Sequence, residues 1–349
     1  MIKTTGKMRR TCQHLLALIV WLCLSSCGGI QNAINPAGPN AQNISDLWWL
    51  MFIVCSVVFV VVMIALLLSL RNRTAEAPET LPPVVEPPQE SERRRWQVVI
   101  SAITITVVIL FVFLIASYSS GRSLYLNDPT KNGLSIQLTG HQWWWEVRYN
   151  DVDASNIFTT ANEIHIPVGV PVMFTLQGAD VIHSFWVPNL AGKKDLIPGK
   201  INTLWLQADK AGVYRGQCAE YCGLQHAKMA LWIVAEPQEQ FNAWRQNQTQ
   251  QALPPASDSQ KRGQQVFFSA TCVMCHAING TPAGSNIGPN LTHVGSRNMI
   301  AAATLSNTSD HMAQWIKDSQ MFKPGNRMPQ HNLSDADLQA LVEYLQSLK

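Results

Sequence analysis

Near its middle the chain gathers soft metal ligands at short spacing: Cys218-Ala-Glu220-Tyr-Cys222-Gly-Leu-Gln-His226-Ala-Lys-Met229, with His183 well upstream. Thiolate and thioether groups select copper, and one Cys, two His and a distant Met would make a mononuclear blue-copper centre. A second cysteine changes that reading, because two sulfurs can bridge two copper ions, each also taking one histidine and one weak axial ligand. Bridging spreads an electron over both metals and keeps the geometric change on oxidation small, which suits fast transfer. Two other readings use the same side chains: a Cys218–Cys222 disulfide in an oxidising compartment and a Cys2His2 zinc site. Neither accounts for Met229.

A second constellation follows at Cys272-Val-Met-Cys275-His276, the attachment motif for c-type haem. Two thiols three positions apart form thioethers to both vinyl groups and hold the next residue's imidazole against the iron. A thioredoxin-like pair or half a zinc site would use the same cysteines, but not the adjacent histidine. The sixth ligand must come from Met299, Met312, Met321 or Met328. Met328 is chosen because Pro324-Gly-Asn-Arg-Met328-Pro329 resembles the axial loop of small cytochromes c, and His–Met ligation raises the potential. Gly288-Pro289-Asn290-Leu291 likewise resembles the segment that supports the ligating histidine, which implies that the Pro289 carbonyl receives its ring N–H.

The elements that carry these groups begin with a leader. Lys3, Lys7, Arg9 and Arg10 precede an apolar stretch from Leu15 to Leu24 and then Ser25-Ser26-Cys27-Gly28, a secretory signal over 1–26. Its ending resembles the bacterial lipobox, which implies that Cys27 becomes an acylated first residue. Two charge-free segments, about 47–70 and 96–118, each exceed the ~20 residues that cross a bilayer and form a hairpin within 27–121. The loop between them carries Arg71, Arg73, Arg93, Arg94 and Arg95, so it is cytoplasmic and everything from Arg122 onward lies outside. Composition agrees: of 349 residues only 14% are charged and 47% are hydrophobic. Charged residues usually make up about 25% of a soluble protein, so a purely cytosolic globule is excluded, and a formal charge of +3 is too small for a nucleic-acid binder.

Within 122–236, from about Gly133 to Glu236, the pattern becomes short alternating or β-branched runs (LSIQL, EIHIPV, VPVMFTLQ, INTLWLQ, VYRGQ, MALWIVA) separated by turn residues, an all-β domain. A polar, glutamine-rich stretch over 237–258, ending in Leu253-Pro-Pro-Ala-Ser-Asp258, reads as a linker with a short helix around Phe241 to Asn247. If about 12 of its residues are flexible, its r.m.s. span is ~20 Å and tethering gives an effective concentration on the order of millimolar. The last domain, 259–349, closes on an amphipathic helix from Ser334 to Leu348 that packs on a helix around Gly263 to Ser269.

At these residues the chain resembles subunit II of the haem-copper cytochrome c oxidases, fused to a C-terminal cytochrome c domain. The match includes Gly140-His-Gln-Trp143-Trp-Trp-Glu146, Asp180-Val-Ile-His183-Ser-Phe-Trp-Val-Pro188, Lys193-Lys-Asp195-Leu-Ile-Pro-Gly199 and the copper loop. The resemblance implies a cupredoxin fold and a dinuclear CuA centre bridged by Cys218 and Cys222. His183 and His226 complete the two coppers, with Met229 and the Glu220 main-chain carbonyl as axial ligands. It also implies a Mg2+ ion facing the Glu220 carboxylate at the border with subunit I, and Trp143 as the residue that receives electrons. The family often places a glutamate three residues before the tryptophan that opens the second span. Here that position is Arg93, and Glu92 lies one residue further away.

The order of parts implies a wire in a bacterial cell membrane. Electrons from a reduced cytochrome c or an upstream respiratory complex reach haem c, pass to the copper pair, and leave for subunit I. That subunit, with its a-type haem and second copper, reduces oxygen to water and pumps protons. A nitrous oxide reductase-like donor and a membrane-anchored relay without an oxidase partner are the competing readings.

Overall fold

The computed structural model describes residues 29–71, 89–126 and 133–349. The leader, Cys27 and most of the loop joining the two spans lie outside them. The described residues fall into two units, the helical hairpin from Gln42 onward and the remainder of the chain.

In the hairpin, α1 spans Pro39–Arg71 and α2 spans Gln89–Leu126. Both run beyond the apolar segments because their polar flanks contain nothing that stops a helix. At 1.5 Å per residue only ~20 residues are needed for the hydrocarbon, so the ends project past it. Within α2 the hydroxyls of Thr104 and Thr106 donate to the carbonyls of Ile100 and Ala102, at 2.8 and 2.9 Å, which satisfies them inside an apolar segment. The boundary expected at residue 121 falls within α2.

The β domain is two five-stranded sheets that enclose one core, with a cupredoxin-like arrangement. Its strands are β1 Leu134–His141, β2 Trp144–Asn150, β3 Phe158–Ala161, β4 Glu163–Pro167 and β5 Val172–Gly178. They continue as β6 His183–Trp186, β7 Lys194–Leu196, β8 Asn202–Leu206, β9 Gly212–Cys218 and β10 Ala230–Glu236. The sheet orders are β3-β2-β1-β5-β8 and β4-β10-β9-β6-β7. The β1–β5 and β4–β10 pairs are parallel. Alternation fills the core: Ile136 and Leu138 of β1, Trp145 and Val147 of β2, and Phe174 of β5 are buried.

A segment ahead of α1, assigned from sequence to the hairpin, belongs to this domain. Asn189 organises it: its side-chain oxygen accepts from the Asn32 amide at 2.9 Å, its amide donates to the Asn35 carbonyl at 3.0 Å, and its carbonyl accepts from the Ala37 amide at 2.7 Å.

The C-terminal domain is built from α4 Asp258–Ser269, α5 Ser309–Lys317, α6 Ser319–Phe322 and α7 Asp335–Ser347. Ser257, Thr308 and Ser334 cap α4, α5 and α7 by accepting from backbone amides. The α4–α7 packing expected from sequence occurs, and Gly263 permits it: a Cβ there would collide with the Ala340 carbonyl.

The linker has more order than its composition suggests. Its helix, α3 Gln238–Gln248, buries Phe241 and stacks Trp244 on His165 of β4, with ring centroids 4.1 Å apart. Beyond it, the Ala252 amide donates to the Asn279 carbonyl at 3.0 Å, and a ring nitrogen of His293 lies 3.2 Å from the Gln250 carbonyl. The β domain and C-terminal domain accordingly belong to the same unit.

Candidate redox centres

Cys218 ends β9, His183 opens β6, and Cys222, His226 and Met229 follow on the loop into β10. Phe185 pairs with Cys218 across the sheet, which brings His183 beside the loop. The two sulfurs lie 3.7 Å apart as free thiols, so no disulfide joins them. His183 Nδ1 is 3.9 Å from Cys218 Sγ, while His226 Nδ1 and Met229 Sδ are 3.7 and 3.8 Å from Cys222 Sγ. The Glu220 carbonyl oxygen sits 3.1 Å from Cys218 Sγ. Among the described residues, His183, Cys218 and Cys222 form a metal-capable cluster, all three buried.

Electron-rich groups converge here with few protons between them. Cys222 hydrogen-bonds Cys218, which holds the Cys218 thiol far below its usual range and pushes that of Cys222 up. Thiolate is the form in which cysteine binds a metal, and the lowered Cys218 thiol favours it. Burial pulls His183 down, but hydrogen bonds to Cys218 and Asp180 outweigh it and hold the imidazole above its ordinary value. Nε2 of His183 donates to Asp180 Oδ1 at 2.9 Å, which fixes the ring and leaves Nδ1 turned to sulfur. Asp180 is itself held by the Gln142 amide, 2.7 Å from Oδ2.

In the C-terminal domain, a single turn over Cys272–Met274 presents both cysteines to a cavity of about 490 Å³, within the ~300–1,000 Å³ typical of ligand pockets. His276 and Met328 also line it. His276 Nδ1 donates to the Pro289 carbonyl at 2.7 Å, the bond anticipated from Gly288-Pro289-Asn290-Leu291. Gly288 leaves no room for a Cβ, which would meet the imidazole. Met328 is fixed through its backbone: the amide donates to Asn326 Oδ1 at 2.8 Å, and the carbonyl accepts from Ser319 Oγ and Gln320 Nε2 at 2.8 and 3.0 Å. Arg297 lines the cavity with its buried Nε unpartnered, and burial pulls its pKa down to about 10. A ligand with carboxylates, such as haem, would satisfy that donor.

Trp143 and Trp144 line the same cavity from the β-domain side. Trp143 Nε1 donates to the Cys222 carbonyl at 3.0 Å. Trp143 is only 8% exposed and packs within the core cluster of the β domain beside Cys222. On β2, Trp145 is fully buried in the core while its neighbour Trp144 is only half-buried, as strand alternation requires. Sequence reasoning missed the seam between the domains. There, the Asn298 backbone amide donates to Glu163 Oε2 at 2.9 Å, Gln225 Nε2 to the Pro324 carbonyl at 2.7 Å, and the Lys228 ammonium to the Phe322 carbonyl. Contacts between residues so distant in sequence leave no local pattern.

Two apolar helices, a cupredoxin-like domain with a sulfur-rich ligand cluster and a helical domain with a Cys-x-x-Cys-His cavity define a membrane-anchored electron-transfer protein. Residues 153–236 match the family "Cytochrome C oxidase subunit II, periplasmic domain", and residues 260–349 match "Cytochrome c". Cytochrome c oxidase subunit 2 of Alkalihalophilus pseudofirmus is 36% identical over 353 residues, covering 98% of this chain and 99% of that protein. The Bacillus subtilis protein of the same name is 30% identical over 351 residues, covering 96% and 97%. The crystal structure of the periplasmic domain of subunit II from Bradyrhizobium japonicum is 34% identical over 34% of this chain and 95% of that one, with a TM-score of 0.32. The chain belongs to the cytochrome c oxidase subunit II family. It is an oxidoreductase subunit of the inner membrane, with periplasmic redox domains that deliver electrons toward subunit I.

Proposed function

We propose that Cys218 and Cys222 bridge a dinuclear copper centre completed by His183, His226, Met229 and the Glu220 carbonyl, and that Cys272, Cys275, His276 and Met328 hold a covalent haem c. When bound, these groups supply the two electron-carrying stations of the chain. The protein's own part is to hold them still and close: Asp180 orients His183, Pro289 orients His276, and Trp143 spans from the haem cavity to the Cys222 backbone. That span is the observation that carries the reading, with Trp143 as the residue through which electrons reach copper.

The partners that fit are subunit I, with an a-type haem and a second copper, the other oxidase subunits, and a reduced cytochrome c or respiratory complex as donor. The Glu220 carboxylate, 4.0 Å from the Lys193 ammonium and about half exposed, offers one ligand to a Mg2+ ion whose remaining ligands subunit I would supply. Cys27 is the lipid anchor, and an unmodified Cys27 in the mass spectrum of the purified protein would remove that assignment. The domain bounds proposed from the sequence are 1–26, 27–121, 122–236, 237–258 and 259–349, with two adjustments: residues 29–41 join the β domain and the second span's helix runs on to Leu126.

Metal and haem analysis of the gently solubilised complex tests the whole. Two coppers and one covalent haem per copy of this chain are expected, together with a polytopic subunit carrying a-type haem and a further copper. A stable complex lacking that subunit would favour a free-standing relay and refute the oxidase reading.

A further inference from the structure

Lys323 follows α6 and opens the loop that leads to Met328, yet its side chain leaves its own domain. Its ammonium donates to the Trp143 carbonyl at 2.7 Å and lies 3.4 Å from the Ala301 carbonyl. The residue is 3% exposed, and no carboxylate pairs with it among the described ion pairs. A buried cation served only by carbonyls is a poor way to stabilise a fold, since an apolar side chain of similar length would avoid its desolvation. Burial pulls its pKa down to about 7, the mark of a charge held in an unfavourable place.

The neighbourhood supplies the reason for its retention. Gln225 and Lys228, which flank His226, donate to the carbonyls of Pro324 and Phe322 on either side of Lys323. Lys323 donates in the opposite direction, to the residue whose indole bonds Cys222. The loop carrying the last copper ligands and the loop carrying Met328 are therefore stitched to one another, with bonds running both ways. Arg327, next to Met328, adds a contact 4.0 Å from Asp180.

We propose that Lys323 is a positioning residue for electron transfer between the two redox modules, its ammonium pinning the haem cavity against the backbone of Trp143. The inference rests on the reading of Trp143 and of the two cofactor sites given above. Electron tunnelling falls steeply with separation, so a small loosening of this seam reduces the rate without changing either ligand set. Lys323 borders the haem cavity, but its ammonium bonds only main-chain carbonyls, and its effect passes through Trp143.

The test uses the intact oxidase carrying Lys323→Met, which keeps the length of the side chain and removes the donor, and Lys323→Gln, which keeps a donor without the charge. A photoreductant injects an electron into the haem, and its passage to copper is followed optically. Lys323→Met is expected to slow this step by about tenfold or more and Lys323→Gln by less. The haem's methionine-ligand absorption band and the copper content should stay unchanged. Dipolar spectroscopy between the oxidised haem and copper should show a broader distance distribution in Lys323→Met. An unchanged transfer rate in Lys323→Met overturns the proposal, as does slowing accompanied by loss of the methionine band, which would make Lys323 a support of its own loop. Absence of haem-to-copper transfer in the unsubstituted oxidase would instead strike the underlying functional reading.

Discussion

The indole N–H of Trp143 donates to the main-chain carbonyl of Cys222 at 3.0 Å, so a ring lining the haem cavity is bonded to a residue of the copper loop. Gln142 donates to the same carbonyl at 2.9 Å. Trp143→Phe preserves most of the ring and leaves Gln142 to satisfy the carbonyl, so the ligand set should survive. Copper and haem content are expected to match the unsubstituted protein, with electron transfer from haem to copper slowed by about tenfold or more. An unaffected transfer rate would remove Trp143 from the path.

The copper ligands separate by consequence. Cys222 meets His226, Met229 and Cys218 within 3.8 Å, so Cys222→Ser removes the sulfur that the cluster is built around. Copper should fall from two per chain to one or none by elemental analysis. Met229 is fully buried, and Met229→Leu conserves its volume at a typical expense of less than about 1.5 kcal/mol. That variant should retain both coppers but shift the centre's potential and spectrum. Loss of both coppers on Met229→Leu would contradict a weak axial role.

Gly263 in α4 lies against the Ala340 carbonyl of α7, where an added Cβ meets backbone rather than a flexible side chain. Gly263→Ala should therefore separate the two helices and destabilise the C-terminal domain by about 1–3 kcal/mol. Thermal unfolding followed through the haem absorption reads this as a drop of several degrees in Tm. The copper signal should keep its unsubstituted midpoint until the seam opens.

The copper loop and the haem motif were legible in the sequence as local spacings, whereas His183 and Met328 come from distant segments. Cys218 to Met229 is one loop, and Cys272 to His276 is one turn. Strands β1, β4, β5, β8, β9 and β10 were legible as apolar runs, whereas β6 and β7 span only His183–Trp186 and Lys194–Leu196, too short to show a period. The seam was not legible. Glu163 with Asn298 and Lys323 with Trp143 are pairings across long sequence separations, and a Gln-rich linker gave no sign that Trp244 would stack on His165. The sequence thus implied a mobile tether where the structure holds a bonded interface.

That interface carries a titratable group. His165 Nδ1 lies 3.0 Å from Glu236 Oε1, and Nε2 lies 3.2 Å from Glu163 Oε1; the second oxygen of Glu163 accepts from the Asn298 amide across the seam. Tyr149 brackets the His165 backbone with its hydroxyl, Trp244 covers the ring, and Arg297 acts on Glu163 from the C-terminal domain. Burial alone pulls His165 down, but the hydrogen bonds to Glu163 and Glu236 outweigh it, so its pKa is raised above 6.5. A raised folded-state pKa means that folding takes up a proton. Its stabilisation is complete below the unfolded value of ~6.5 and is lost as pH climbs through the folded value. Stability of the β domain, measured by denaturant unfolding, should therefore decline from mildly acidic toward alkaline pH in that window. His165→Gln, which keeps a donor and cannot ionise, should lower stability at the acidic end and flatten the dependence. An equally steep profile in His165→Gln would assign the titration to another group.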